Sequence, residues 1–212
     1  MKKKIVLFAL SWRNQGVCVA GKDLFTKEWI RPVTKAGPVP KSEVYKFYLR
    51  DIVEVEVSSH CPKDHQTENY RLVANSWRKT GAISLANIPL YLDNPPNIWD
   101  YKTSIGAKSV PFADIAITGI NKSLYLISVS DLIVDYVMEQ YPDGTQKPKY
   151  YGTFQYSGVR YKLSITDPVF NLKYPNFGTY VVSRPTLCLS LTEPCASMNN
   201  KCYKLIAGVI LN

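Results

Sequence analysis

The sequence predicts a mainly β protein built as two small barrel-like halves with one or two short helices, and three observations carry that expectation. Valine and isoleucine recur in short runs alongside 15 Tyr, 14 Pro and 4 Trp, a composition that suits strands and turns better than a helical bundle. Apolar residues make up 46% and charged residues 20%, the balance of a chain that folds around a core. At 212 residues there is room for two β-units of roughly 100 residues each.

The first strand is Ile5 to Leu10, continuously apolar as in a strand covered on both faces. A polar break at Ser11-Trp12-Arg13-Asn14-Gln15 is expected to end it, a second strand runs Gly16 to Ala20, and Gly21 permits a turn. Glu28 to Pro32 forms a third, in which Ile30 faces away from Trp29 and Arg31 because side chains alternate across a strand. Ser42 to Arg50 reads as a short helix or helical turn with Ser42 as N-cap and Val44, Phe47 and Tyr48 at helical spacing. Asp51 to Ser58 alternates, with Val53, Val55 and Val57 on one face.

From Pro89 to Pro111 periodicity is lost among prolines, asparagines and serines, which sets the boundary near residue 105, with halves 1–105 and 106–212. Strands are expected at Ala113–Thr118 and Leu124–Val129, with continuation through Leu132–Met138. A hairpin turning at Ser157-Gly158 would pair Tyr156 with Val159, Phe154 with Tyr161, Gly152 with Leu163 and Tyr150 with Ile165. Its other face then carries Gln155 with Arg160, Thr153 with Lys162 and Tyr151 with Ser164, an aromatic and two cations suited to a single strand or to plain solvent. Thr186–Leu191 and Tyr203–Leu211 complete the set, the last central and able to pack back on the N-terminal half. Ten or eleven strands in two groups fit two Greek-key barrels of the oligonucleotide/oligosaccharide-binding (OB) kind packed together, or one larger sandwich.

The net charge is +9, spread along the chain, which implies a folded basic face and makes nucleic acid the first partner to consider. The run after Met1-Lys-Lys-Lys is too short to span a membrane and lacks a small-residue cleavage site, so a cytoplasmic protein with five reduced cysteines is expected. Only His60 and His65 exist, which starves nucleophilic catalysis. Neither His60, Cys61 and His65 nor Cys195 and Cys202 match a standard zinc spacing. Gly21-Lys22-Asp23 lacks the rest of a phosphate loop, and Glu54 and Glu56 read as a solvated strand face. No cofactor is implied. The pentad His65-Gln66-Thr67-Glu68-Asn69 is either a connecting loop or a recognition surface.

Five blocks in order then resemble the dual OB-containing domain (DuOB) of prokaryotic conflict systems: Cys18-Val-Ala-Gly-Lys-Asp23, Glu28-Trp-Ile-Arg-Pro-Val33, Asp51-Ile-Val-Glu54, His65-Gln-Thr-Glu-Asn69 and Cys202-Tyr-Lys-Leu-Ile-Ala207. The likeness spans most of the chain, with little of it between about 75 and 120, and Ser11-Trp12-Arg13 stands where an Asn-Ser-Arg-like stretch is expected. It implies two OB-like barrels recognising nucleic acid or a related ligand in anti-invader defence, with Lys22, Asp23, Trp29, Arg31, His65, Gln66, Glu68 and Asn69 as a shared recognition or structural site.

The resulting expectation is a non-catalytic nucleic-acid sensor or adaptor, single strands favoured, working beside an effector protein. Lys22, Arg31, Arg160, Lys162 and Lys204 would meet phosphates, and Trp29, Tyr151 and Tyr203 would stack. A nucleotide or small-molecule sensor with a polar pocket between the halves is the alternative, and a metal-dependent nuclease using Asp23 and Glu68 the third reading.

Overall fold

A computed structural model describes residues 1–13, 16–141 and 143–211, without the side chain of Arg13. The chain forms two compact units: unit 1 holds 1–93 and 121–126, unit 2 holds 94–120 and 127–212. The first division therefore falls at Asp93/Asn94, where the sequence reading set 105, and a later hexapeptide rejoins unit 1.

Unit 1 contains β1 (Lys2–Arg13), β2 (Gly16–Asp23), β3 (Trp29–Val33), α1 (Lys41–Val44), β4 (Asp51–His60), β5 (Asn69–Leu72) and β6 (Arg78–Ala82). The order β1-β2-β3-β5-β4 closes on itself, because β1 also pairs β4 through Lys2 to Val6. Closure needs a strand that serves two neighbours, and a bulge between Leu7 and Ala9 bends β1 to do so. Gly21 sits inside β2 beside that bend, not in a turn: a Cβ there would lie 2.4 Å from the Val6 carbonyl oxygen. Ile5, Leu7, Val17, Val19, Ile30, Val53 and Val55 fill the barrel. By alternation Lys22, Trp29 and Arg31 point out of it.

The expected break at Ser11 to Arg13 belongs to β1, while Asn14 and Gln15 lie outside the described residues. The 42–50 helix shrinks to four residues, with Pro40 at its N-cap and no side-chain cap. Val44 and Phe47 are buried, but Tyr48 is exposed rather than on the apolar side.

Unit 2 contains β7 (Ser109–Pro111), α2 (Phe112–Thr118), β9 (Asp131–Gln140), β10 (Gln146–Tyr156), β11 (Val159–Ile165), α3 (Pro168–Asn171), β12 (Gly178–Ser183), β13 (Thr186–Leu191) and β14 (Lys201–Ile210). Between α2 and β9 runs β8 (Leu124–Ser128), whose last two residues, Ile127 and Ser128, lie in unit 2. The sheet order is β12-β9-β10-β11-β14-β13-β8, with β7 against β14. In both units the third strand of a meander runs parallel to a later strand, β3 with β5 and β11 with β14.

Ala113–Thr118 is a helix, not a strand: Ile115 is the buried residue on its inner side, and Gly119 ends it in the left-handed region at φ 65°. The hairpin pairs Tyr156 with Val159, Phe154 with Tyr161 and Gly152 with Leu163 in the expected register, turning through Ser157 and Gly158 at φ 48° and 78°. Gly152 is the point of closest packing, since a Cβ there would meet Ile206 Cδ1 at 2.5 Å. Asp167 caps α3 by accepting from Val169 and Phe170 N–H, and also accepts from Val209 N–H; burial raises its pKa against these bonds.

Candidate nucleic-acid interface

The outward face of β2 and β3 in unit 1 carries the residue types that the sequence marks for recognition, and the chain itself covers them. Lys22 is 3% exposed; its Nζ donates to the Tyr91 carbonyl at 2.7 Å and to Asp93 Oδ1 at 2.6 Å. Trp29 Nε1 and Leu126 N–H both donate to Asp93 Oδ2, at 3.0 and 2.8 Å, and Asp93 N–H donates back to the Leu126 carbonyl at 2.7 Å. Phe8, Trp29 and Tyr91 pack beneath this carboxylate, with ring centroids 6.2 and 5.4 Å from Phe8.

A second knot lies at β3 and β5. Arg31 Nη2 reaches Glu68 Oε1 at 3.1 Å and Ser123 Oγ at 2.9 Å, and Ser123 in turn donates to Glu68. Asn69 is Arg31's partner in β5, and its Nδ2 donates to Gln66 Oε1 at 3.4 Å. His65, Gln66, Glu68 and Asn69 are all buried, while Thr67 donates to the Asn121 carbonyl at 2.6 Å. The pentad and Arg31 therefore converge, in an interior network that ties Asn121–Leu126 to the barrel. Asp23 shapes the β2–β3 turn by accepting from Phe25 and Thr26 N–H. Ser123 and Asp93 are the two members that the sequence reading did not name; each sits far along the chain from its partners, and no local pattern marks it.

Lys204 in unit 2 is likewise interior, 1% exposed, with Nζ 2.5 Å from Asp100 Oδ1. Tyr161 donates to the same carboxylate. Burial pulls the lysine's pKa down, and Asp100 opposes that shift. Tyr203 is half-buried in β14, its N–H donating to Thr192 Oγ1.

The outward face of β9, β10 and β11 is different. Arg160 is exposed opposite Gln155, and beside them Ser130, Asp131, Ile133 and Thr153 line an open groove of about 280 Å³. Further along, Lys162 pairs with Asp135 at 2.8 Å and lies 5.5 Å from the Tyr151 ring centroid. Lys149 lies over the same ring at 5.4 Å and pairs with Glu139 at 2.7 Å, while Tyr151 donates its hydroxyl to Glu139. The hydrogen bonds from Lys149 first and Tyr151 second hold the Glu139 carboxyl down to about 2. Of the predicted residues, Tyr151, Arg160 and Lys162 thus share one exposed face. The groove residues Ser130, Asp131 and Ile133 were missed because the corner before β9 read only as a strand that continued.

No group of three or more His, Cys, Asp or Glu among the described residues is placed to hold a metal ion, and none of the five cysteines is in a disulfide. No described helix is long and apolar enough to cross a membrane.

A closed five-stranded barrel joined in sequence to a second sheet with a parallel pairing at the same place in its meander defines an OB-type β protein of two units. The chain belongs to the dual OB-containing domain family, whose model matches residues 3–209. Among curated proteins none matches it.

Proposed function

We propose that the protein is a non-catalytic recognition module that binds single-stranded nucleic acid on the β9–β10–β11 face of unit 2, acting as a sensor or adaptor beside a separate effector. The anti-invader setting implied by the family resemblance is part of this proposal. The observation that carries it is the open groove beside Arg160, continued along the hairpin by Lys162 and Tyr151. A guanidinium suits a phosphate, and an aromatic ring flanked by cations suits a base. Binding rather than chemistry is favoured because the acids are engaged: a carboxyl held near 2 is a poor general base at neutral pH.

The groove's size supports a second reading, a sensor of one free nucleotide, because about 280 Å³ is near the low end of small-ligand sites. Titration of labelled single-stranded DNA and RNA at two salt concentrations tests the first. Binding should weaken steeply with salt, and Arg160→Ala should lower both affinity and the salt slope, the latter by about one. No binding at low salt overturns it. A rise in melting temperature with mononucleotides, without oligonucleotide binding, favours the second.

A further inference from the structure

Unit 1 carries most of the charge excess: 16 Lys and Arg against nine Asp and Glu, a net +7, where unit 2 has ten against eight, a net +2. Yet its outward β2–β3 face spends Lys22 and Arg31 on its own carboxylates. The unspent feature of unit 1 lies elsewhere, where the end of β1 meets α1. Trp12 is 52% exposed, Tyr45 73% and Tyr48 57%. A tryptophan is among the side chains most costly to leave in water, and here three large rings are left there, two of them three residues apart in the chain.

The core does not need them. Val44 and Phe47, interleaved with the two tyrosines, fill the interior, and Phe47 packs on Trp77 at 6.1 Å. The rings are instead set among cations. Lys41 Nζ stands 4.4 Å from the Trp12 ring centroid, which joins β1 to the start of α1. One helical turn, closed by Tyr45 N–H on the Lys41 carbonyl at 2.9 Å, puts Tyr45 on the side of Lys41. Lys46 follows, exposed. The acid of this segment, Glu43, is turned to the Asn75 N–H, which its Oε2 accepts at 2.8 Å.

Exposed rings interleaved with lysines, with the local carboxylate directed away, have the chemistry of a platform for unpaired bases. We infer that Trp12, Tyr45 and Tyr48, with Lys41 and Lys46, form a second nucleic-acid site on unit 1 that stacks the bases of a single strand, DNA or RNA. This rests on the proposed function but on different residues. A protein partner with an acidic surface would use the lysines and give no role to three exposed rings.

The test is fluorescence anisotropy with labelled dT and U oligonucleotides on the full chain. Trp12→Ala and Tyr45→Ala should each weaken binding about tenfold with the salt slope unchanged, because stacking releases no counterions. Trp12→Phe should retain most of the affinity, and thermal unfolding should match the parent in all three. Parent-like affinity in both alanine variants, with Arg160→Ala weakened, overturns the platform and leaves the proposed function standing. Equal competition by polyphosphate of matched charge also overturns it. A parent that binds neither oligonucleotide at low salt overturns the proposed function and the platform together.

Discussion

In unit 1 the outward face of β2 and β3 is built over by Tyr91–Asp93 and Asn121–Leu126; in unit 2 the corresponding face of β10 and β11 is exposed along Arg160 and Lys162. Both faces present cations and aromatics, so residue type does not separate them. What separates them is whether the chain's own anions meet those cations in the interior or at the surface. Asp93, Glu68 and Ser123 answer Lys22 and Arg31 in an interior where an unanswered charge would cost several kcal/mol, on the order of the stability of a whole domain. Asp135 answers Lys162 at the surface, where a pair is worth about 0–1 kcal/mol and a ligand can replace it. A buried cation is thus committed to the fold, and an exposed one is available.

That contrast breaks first at Glu68. Glu68→Ala strands the Arg31 guanidinium in the interior and should cost about 3–5 kcal/mol in chemical denaturation, with oligonucleotide affinity of the folded protein unchanged. Parent-like stability would make the covered face a surface after all. Asp167→Ala is next, at about 1–2 kcal/mol, because it removes the cap of α3 and the acceptor of Val209 N–H while leaving the faces at Arg160 and at Trp12 intact.

The smallest effect concerns acid. Glu139's carboxyl sits below its ordinary 4.5 when folded, so its contribution is fully present above pH 4.5 and is lost as pH falls towards 2. Glu139→Gln should flatten that limb of the stability profile by lowering stability slightly at neutral pH while leaving it unchanged near pH 2, read by thermal melts from pH 2 to 7.

Much of the frame was legible because it is local. The hairpin at Ser157-Gly158 announces its turn chemistry, and alternation on both sides then dictates register. Ile5–Leu10 could only be a strand covered on both faces. Ala113–Thr118 was misread because six residues of mixed polarity satisfy a period of two as well as one of 3.6, and Pro111 and Gly119 settle the matter in favour of a helix. The strands β5, β6 and β12 escaped notice, being four to six residues long and partly exposed. The pentad was visible as polar, but its burial depends on Arg31 and Ser123, 37 and 55 residues from Glu68 in sequence. Charge was legible only as a total; its division into committed and available cations is a tertiary property.

Photo-cross-linking of a halogenated single-stranded oligonucleotide to the full chain, with adducts mapped by mass spectrometry, addresses the central contrast most directly. Adducts should fall on the Lys149–Lys162 stretch of β10 and β11 and be absent from the Lys22–Arg31 stretch of β2 and β3. Adducts on Lys22, Trp29 or Arg31, with none on β10 and β11, would contradict it.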